Sequence, residues 1–358
     1  MSATQNEVEI TAGVDTHKDT HTFAALDSTG RPLGARTFPT TISGYRAALA
    51  WLRTLGRISR VAVEGTGSYG LSLVRFLREA GLDVVEVCRP NRQLRRRRGK
   101  SDPADAEAAA RAALAGEELG TPKAQDGRVE VIRLLRLQRR SAIKARSQAA
   151  NQLHAVVSTS PDSIRAGLRG LTLKGLVSRA GRYRTTLPAT LEGATKAVLR
   201  GLARRWKQLD QEVHALDREL GDLVREAAPD LLSLVGVGTE VAGALLVAAG
   251  DNPERLKHDG SFASLCGVSP CDASSGRQLR HRLNRGGNRD ANRALWVIAF
   301  VRIRCDPRTR EYVERRTQQG LSKREIIRCI KRYIAREVFK CLRARPLPLA
   351  SSLIEGPP

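Results

Sequence analysis

The sequence predicts a mixed α/β domain followed by two mainly helical regions. Strand and helix signals alternate from residue 7 to residue 115, whereas from about Asp126 to Glu226 the strand signals vanish and helix formers dominate. After Pro229 a compact and mainly helical stretch begins. We therefore expect an α/β domain at residues 7–122, a helical arm at 123–228, a helical C-terminal domain at 229–346 and a tail at 347–358.

The α/β region has the predicted order β-β-β-α-β-α-β-α. Strands are expected at Val8–Val14, His21–Leu26, Leu33–Phe38, Val61–Glu64 and Asp83–Val87, and helices at Ile42–Leu55, Ser68–Ala80 and Pro103–Ala115. A turn with the sequence Asp-Ser-Thr-Gly-Arg-Pro separates the second strand from the third. Three strands in a meander followed by crossover connections are typical of a mixed sheet with helices on its faces.

The arm contains an apolar repeat with heptad spacing. Its members step alternately by three and four residues and are Leu199, Leu202, Trp206, Leu209, Val213, Leu216, Leu220 and Leu223. This spacing predicts a coiled coil, in which the apolar stripe needs a partner helix. The alternative is a single heptad helix that docks within its own chain.

A glycine-containing hairpin is predicted at the start of the C-terminal domain. The segment from Leu231 to Leu245 predicts two helices joined by Gly236-Val-Gly238. Backbone N–H groups at a helix N-terminus bind phosphate well, and the pattern resembles the helix-hairpin-helix of DNA-binding proteins. An ordinary helix pair with a glycine cap is the alternative.

The charge of the chain points to a polyanionic partner. Lys and Arg total 61 against 37 Asp and Glu, which gives a net charge of +24, and 50 of the 61 basic residues are Arg. Arginine grips phosphate with two parallel hydrogen bonds and stacks on bases, so nucleic acid is the expected ligand. A genome of high GC content would also raise the arginine content. The basic residues expected to contact nucleic acid are Arg95, Arg96, Arg97, Arg98 and Lys100 in one stretch and Arg277, Arg280, Arg282 and Arg285 in another, together with the hairpin glycines.

Other features limit where the protein works. The longest apolar stretch runs from Val241 to Gly250, which is shorter than the ~18 residues that a membrane span needs. The N-terminal residues lack the pattern of a secretory signal, and the six cysteines form no C-x-x-C pair. We expect a cytoplasmic protein with reduced thiols and no membrane partner.

Four carboxylates are candidates for a metal site. Asp15 ends the first strand, Glu64 ends the strand from Val61, and Asp102 and Asp105 begin a helix. All four converge if the first and fourth strands are neighbours. Unit charges about 4 Å apart repel by roughly 4 kcal/mol, so such a cluster needs cations, and oxygen ligands suit Mg²⁺ ions for phosphoryl transfer. Helix capping by Asp102 at the N-cap and Asp105 at N3 is the alternative.

A serine in an arginine-rich loop is the second chemical candidate. Ser274 and Ser275 precede Gly276 within a loop from Gly267 to Asn288. A serine among guanidinium groups is able to attack a phosphodiester, because the arginines stabilise the charge that develops on phosphorus. A linker that only binds phosphate is the alternative.

Two rival motifs are less well supported. Gly65-Thr-Gly-Ser-Tyr-Gly70, with Glu86 about twenty residues on, matches a dinucleotide fingerprint and would indicate an oxidoreductase. However, Glu64 would then stand beside the pyrophosphate. His17 and His21 resemble a zinc pair, but they would share a face only on a helix, and their segment is predicted to be strand and turn.

Several motifs taken together resemble the insertion-sequence 110 family of DEDD transposases, which are bridge-RNA-guided recombinases. The motifs are G-V-D-T-H-K at 13–18, V-E-G-T-G-S-Y at 63–69, K-S-D-P-A-D-A at 100–106, F-A-S-L-C-G-V-S-P at 262–270, S-S-G at 274–276 and R-G-G-N-R-D-A-N-R-A-L at 285–295. They follow the family order and extend over nearly the whole chain.

The resemblance implies a fold and a reaction. It implies an N-terminal RuvC-like domain of ribonuclease-H fold, a coiled-coil arm and a C-terminal transposase domain with a serine nucleophile. By motif, Asp15, Glu64, Asp102 and Asp105 are similar to the metal-binding tetrad for Mg²⁺ or Mn²⁺, and Ser275 to the nucleophile.

The implied partners are nucleic acids and further copies of the chain. A non-coding bridge RNA would pair with donor and target DNA, and tetrad and serine would meet between protomers of a dimer or tetramer. The alternatives are a metal nuclease of the Holliday-junction type and a nucleic-acid-binding module without catalysis.

Overall fold

The computed structural model describes residues 8–87, 101–116, 119–184, 189–273 and 281–344. Contacts within the chain divide it into two compact units, residues 1–125 and 126–358. The division lies three residues from the first predicted domain boundary. The predicted arm and C-terminal domain fall within the same unit, and their separation into two domains stays a prediction.

The first unit is built on a six-stranded sheet. Its strands are β1 (Glu9–Thr16), β2 (Thr20–Asp27), β3 (Pro32–Pro39), β4 (Arg57–Val63), β5 (Val84–Val87) and β6 (Leu119–Gly120), and its helices are α1 (Ile42–Leu55), α2 (Leu71–Glu79) and α3 (Asp102–Ala115). The strand order is β3-β2-β1-β4-β5-β6. Strand β1 runs antiparallel to β2 and parallel to β4. The predicted order of elements is confirmed, and this mixed α/β fold is compatible with a RuvC-like domain.

Helices cover both faces of the central strands. Six consecutive residues of β1 and of β2 are buried, whereas β3 at the edge of the sheet is mostly exposed. On one face Phe23 packs with Tyr45 and Leu52 of α1 and with Leu73 of α2. On the other face the alanines of α3 pack with Ala62, Val85 and Val87. Burial on both faces explains why the second half of β4, Val61 to Val63, consists of apolar residues only.

The second unit is almost entirely helical. Its helices are α4 (Arg128–Ser158), α5 (Asp162–Ala166), α6 (Leu173–Gly181), α7 (Leu191–Ala227), α8 (Pro229–Leu232), α9 (Thr239–Ala249), α10 (Asp259–Leu265), α11 (Arg289–Cys305), α12 (Pro307–Gln318) and α13 (Lys323–Arg343), with a 3-10 turn at Pro253–Arg255 and two short strands, β7 (Cys271–Asp272) and β8 (His281–Arg282). Within the described ranges, no helix is long and apolar enough to cross a lipid bilayer.

The heptad stripe of the arm is buried inside the chain. Helices α4 and α7 pack along each other. Arg139 pairs with Asp217 at 2.5 Å, and seven residues later Arg146 pairs with Asp210, which lies seven residues earlier, so the two helices are antiparallel. Leu216 is only 5% exposed. This packing favours the alternative in which the heptad helix docks within its own chain, because α4 supplies a partner for the stripe.

The core of the second unit joins the arm to the C-terminal helices. Val129 and Ile132 of α4 and Val224 of α7 belong to the same buried cluster as Leu245 of α9 and Ile330 of α13. Because the long helices contribute to this core, the C-terminal helices do not enclose an apolar interior without the base of the arm.

Candidate active site

Two of the predicted tetrad residues lie at adjacent strand ends. Asp15 is on β1, and Glu64 follows the last residue of β4. The two strands are parallel neighbours, and the backbone N–H of Glu64 donates to the carbonyl oxygen of Val14 at 3.1 Å. The hydroxyl of Thr16 donates to the carbonyl oxygen of Glu64 at 2.8 Å. The first and fourth strands are therefore neighbours, which was the condition for the carboxylates to converge, and Asp15 and Glu64 stand at the same edge of the sheet.

Helix α3 carries the other two tetrad residues and lies directly on β1. Gly13 makes this approach possible, because a Cβ atom there would come within 3.0 Å of the Ala106 oxygen and of the Ala110 nitrogen. Ala106 and Ala110 themselves have small side chains and are fully buried. The motif glycine two residues before Asp15 thus determines how close α3 comes to the strand end.

The structure brings Asp15 and Asp102 together with a third residue, His17. One ligand atom from each of the three lies within 4.8 Å of the others. His17 Nδ1 is 3.7 Å from Asp15 Oδ2. Asp15 is nearly buried, whereas Asp102 and His17 are exposed. In the part of the chain that the structure describes, Glu64 and Asp105 are not members of this group, although Asp105 is buried one helical turn beyond Asp102.

This donor set fits a divalent metal ion. Two carboxylates at such distance repel unless a cation stands between them, and carboxylate oxygen is the ligand that Mg²⁺ and Mn²⁺ prefer. An imidazole is the more usual ligand of transition metals. The sequence interpretation missed His17, which it considered only as a partner of His21. The signal that finds it is its place two residues after Asp15, where the chain turns from β1 into β2.

The two histidines of the segment lie in different surroundings. His21 is fully buried, and its ring is stacked parallel to that of Tyr45 with centroids 5.8 Å apart. Burial lowers the pKa of His21. It therefore belongs to the core beneath α1, whereas His17 stands with Asp15 and Asp102.

Capping does not account for the position of Asp102. The N-cap residue of α3 is Ser101, and Asp102 is the first helical residue, followed by a proline. The capping alternative placed each acidic residue one position earlier. Negative side chains in the first turn still favour the helix dipole, so the electrostatic part of that alternative holds for both residues.

The glycine-rich motif after β4 is a turn and does not fit a dinucleotide site. Thr66, which is buried, donates its hydroxyl hydrogen to Glu86 Oε1 at 2.5 Å. The acidic residue that would hold a ribose in a dinucleotide enzyme is thus bound to the motif itself. The antiparallel pairing of β1 with β2 also differs from the parallel sheet of that class.

The serine loop lies largely outside the described residues. Ser274, Ser275, Arg277 and Arg280 fall in the gap at 274–280, and Arg95, Arg96, Arg97, Arg98 and Lys100 fall in the gap at 88–100. The described flanks of the loop are the paired strands β7 and β8. Arg282 on β8 and Arg285 after it are exposed.

The two flanks of this loop are held together at its base by contacts among residues 265–267, 287–288 and 292, which we call the neck. The backbone N–H of Asn288 donates to the Leu265 oxygen at 2.6 Å. Gly287 has a φ of +82°, and a Cβ atom there would come within 3.0 Å of the Gly267 nitrogen. The amide of Asn292 donates to the oxygens of Cys266 and Gly267, at 2.8 and 3.1 Å. Sequence reasoning did not identify this support, which holds the two flanks of the loop together.

The hairpin glycines occupy a turn before α9. Gly238 is the N-cap residue of that helix. A Cβ atom on Gly236 would lie 3.3 Å from the Ile298 oxygen and from Val301 Cβ, so this glycine packs against α11. The first helix, α8, has four residues. The helix-hairpin-helix and its contact with nucleic acid stay predictions.

The sequence matches two family models. A transposase model of the DEDD IS110 family matches residues 12–160, which include all four tetrad positions. A second model, described as transposase of the IS116/IS110/IS902 family, matches residues 228–314, which include the serine loop and its neck. The two matched ranges together cover about two thirds of the chain.

Two curated proteins are similar to this chain. An insertion element IS110 protein of 43.6 kDa from Streptomyces coelicolor is 29% identical over 154 residues, which are 42% of this chain and 38% of that protein. An insertion element IS900 protein of 42 kDa from Mycobacterium paratuberculosis is 24% identical over 359 residues, which are 86% of this chain and 89% of that protein. The chain thus spans well under half of the first relative and most of the second.

The geometry of the candidate site and the matches to known families point to the same kind of protein. The candidate site, carboxylates at the end of β1 and the start of α3, lies inside the range of the first model, and that family implies the use of a divalent metal ion and a DNA substrate. The second model covers the region whose motifs carry the serine. The chain therefore belongs to the IS110 family of DEDD transposases and is, by that membership, a DNA transposase enzyme.

Proposed function

We propose that the protein is the recombinase of an insertion sequence and that it cuts and rejoins DNA through a covalent serine intermediate. The observation that carries the proposal is the meeting of Asp15 and Asp102 at the end of β1. These two acidic side chains come from segments 87 positions apart in sequence, and their charges repel where they meet. A divalent cation that acts on phosphate would offset this repulsion.

Asp15, Asp102 and His17 would hold Mg²⁺ or Mn²⁺, with Glu64 and Asp105 close along the same strand end and helix. A divalent ion bound there supplies positive charge that polarises a phosphate. The buried position of Asp15 restricts the motion of this ligand, whereas Asp102 and His17 are exposed. The basic stretch that ends at Lys100 immediately precedes Asp102 and would guide the phosphate backbone to it.

Ser275 would be the nucleophile. Its oxygen forms a bond to phosphorus while the bond from phosphorus to one deoxyribose oxygen breaks, and the serine proton ends on the released sugar hydroxyl. One phosphoester replaces another, so the bond energy is retained for rejoining and no ATP is needed. The arginines of the loop would stabilise the negative charge on phosphorus. The neck supports this role, because its backbone contacts hold the two flanks of the loop in place and a nucleophile must be positioned.

The remaining parts of the proposal concern the partners. A bridge RNA encoded by the element would pair with donor and target DNA, and the high positive charge suits two polyanions held at once. A homo-oligomer would bring the tetrad of one protomer to the serine of another. The buried heptad stripe offers no support for this assembly, which would need other surfaces.

The test is strand cleavage with DNA that carries the element ends and RNA transcribed from the flanking non-coding segment. Asp15→Asn and Asp102→Asn should abolish metal-dependent cleavage, with nucleic-acid binding within about threefold of wild type because one charge among many changes. Ser275→Ala should remove a denaturant-resistant protein–DNA adduct, and the matched Ser274→Ala should not. Full cleavage by both aspartate variants would overturn the metal site, and a normal adduct from Ser275→Ala would overturn the nucleophile.

The products distinguish the second candidate, a metal nuclease that cuts without rejoining. The tetrad side of the site would suffice for that reaction. A nuclease would release free ends and would form no adduct, whereas the recombinase would yield a joined product of new sequence.

A further inference from the structure

A basic cavity of about 480 Å³ lies in the second unit beside the serine-loop neck. Its walls come from the neck, from β8 and from helices α12 and α13. The basic side chains that line it are Arg282, Arg316, Arg328, Lys331, Arg332 and Arg336. None of the last five was singled out in the sequence, because they lie on α12 and α13, 28 to 48 residues beyond the end of the loop at Asn288.

The acidic groups nearby do not satisfy this positive charge. Glu325 is the one carboxylate among the lining residues, and it stands 3.7 Å from Arg328. Asp259 pairs with both Arg332, at 2.8 Å, and Arg336, at 3.2 Å. Among the described residues, Nη1 of Arg332 and Nε of Arg316 are buried with no hydrogen-bond acceptor. A buried donor without a protein acceptor is satisfied by ordered water or by a ligand, so the protein itself leaves part of the hydrogen-bonding capacity of these two arginines unused.

An aromatic side chain stands among the arginines. Tyr333 lines the cavity and is 50% exposed. The ring of Tyr312 contacts it edge to face, with centroids 5.7 Å apart, and the guanidinium of Arg336 lies 5.8 Å from its centroid. These neighbours fix the orientation of Tyr333. A half-exposed tyrosine flanked by guanidinium groups is the surface on which a nucleobase stacks.

The cavity is also attached to the loop neck. Lys331, nearly buried, donates from Nζ to Asn292 Oδ1 at 2.7 Å. Asn292 in turn holds the neck at Cys266 and Gly267. His281, the first described residue after the gap at 274–280, also lines the cavity. The cavity wall and the loop neck are thus connected by shared residues and hydrogen bonds.

We infer that this cavity binds an unpaired nucleotide segment, with its phosphates on the arginines and a base stacked on Tyr333. A volume of about 480 Å³ is that of a small-ligand pocket and admits one or two nucleotides but not a duplex. A paired base has both faces covered by its neighbours, so only an unpaired base stacks on the tyrosine. DNA and RNA share this chemistry. The inference rests on the proposed function only in taking nucleic acid as the partner, and it needs neither metal nor serine.

Binding is measured by fluorescence anisotropy in EDTA, so that no cleavage occurs. The probes are a labelled 12-nucleotide oligothymidine, the corresponding oligouridine and a 12-base-pair DNA duplex, each bound to the full chain. Tyr333→Leu should lower the affinity for the two single-stranded probes by roughly 5-fold to 100-fold, the range expected for loss of one stacked base. Its affinity for the duplex should stay within about twofold of wild type. Tyr333→Phe keeps the ring and should bind like wild type.

Charge variants test the arginine side of the site. Arg328→Gln should lower the affinity for the single-stranded probes and reduce the slope of log affinity against log salt by about 0.7, as expected for one lost phosphate contact. The matched control is Arg204→Gln, which removes the same charge from an exposed position on α7. Asp259→Asn frees two cavity arginines from their acidic partner and should tighten binding. Melting temperatures identify any variant that fails to fold.

Four results would overturn the inference. The first is an equal loss of duplex and single-strand affinity in Tyr333→Leu, which would indicate an unspecific basic surface, and the second is a loss of affinity in Tyr333→Phe as large as that in Tyr333→Leu. The third is equal affinity of Arg328→Gln and Arg204→Gln for the single strands, and the fourth is unchanged affinity in Asp259→Asn. A preference for the thymidine or the uridine probe identifies DNA or RNA as the natural occupant and supports the inference either way. A protein that fails to cleave DNA but passes these binding tests would refute the proposed function alone.

Discussion

Replacement of Gly13 by alanine tests whether the approach of α3 to β1 positions the metal ligands. The added Cβ atom would come within 3.0 Å of the Ala106 oxygen and the Ala110 nitrogen, whereas ordinary contacts begin near 3.4 Å. Both atoms belong to the helix backbone and have no rotamer that avoids the clash. The helix must therefore retreat from the strand by about 1 Å, a displacement of the size that lowers catalytic rates about 100-fold.

The expected loss of stability follows from the same contact. Overpacking of a filled interior typically costs about 1–3 kcal/mol. Asp102 lies at the start of the displaced helix and would move away from Asp15, which is fixed in the sheet. We therefore expect Gly13→Ala to lower the melting temperature by several degrees and to reduce metal-dependent cleavage by about two orders of magnitude.

The assays are thermal unfolding and strand cleavage in Mg²⁺. Gly201→Ala is the matched control, because Gly201 lies within α7 with nothing within 4 Å of its added Cβ. This change should raise stability by up to about 1 kcal/mol, as glycine to alanine does in an open helix, and leave cleavage unchanged. A Gly13→Ala variant with the melting temperature and the cleavage rate of wild type would refute the reasoning that this glycine positions the helix.

Three other predictions concern the ion, the core and the arm. Mn²⁺ at a hundred times its dissociation constant should stabilise the wild type by about 2.7 kcal/mol and leave the melting temperature of Asp15→Asn unchanged; an equal shift in both would place the ion elsewhere. Burial lowers the pKa of His21 below its usual value of about 6.5, so the unfolded chain binds the proton more readily and stability falls as the pH drops below 6.5. His21→Phe keeps the stacked ring and should lose less stability between pH 7 and pH 5 in urea unfolding, and equal losses would contradict this. Leu209→Asp with Leu216→Asp should destabilise the arm by several kcal/mol at unchanged oligomeric mass, because the seam is buried within the chain, and a lower mass in light scattering would show that copies also use it.

The order of the α/β elements was predictable from sequence because strand and helix periods differ. Segments such as Val61–Glu64 are short and apolar, end at a carboxylate and precede a helical spacing, so both the element and its functional end were visible. His17 was not predictable in this way. Its approach to Asp102 depends on the turn after β1 and on the separation of α3 from the sheet, neither of which has a periodic signal.

The arm shows the limit of a heptad pattern. The spacing from Leu199 to Leu223 states that a helix will cover the stripe, but not which chain supplies that helix. Helix α4 covers the stripe, although its apolar residues are less regularly spaced. Ion pairs such as Arg146 with Asp210 also join the two helices. The basic cavity was hidden for a related reason, since Tyr333 is brought to the loop neck only by tertiary packing.

The motif glycines on both sides of the proposed reaction have the same physical task. At Gly13 and at Gly287 a single Cβ atom would push apart two backbone segments that are packed without side chains between them. In the first case the segments carry Asp15 and Asp102, and in the second they are the flanks of the loop that contains Ser275. Phosphoryl transfer depends on placement to within a fraction of an ångström, and backbone contact is stiffer than contact through a rotatable side chain. If the protein acts as proposed, we therefore expect the glycines in G-V-D and R-G-G-N to be required for the chemistry, although neither contacts the reacting atoms.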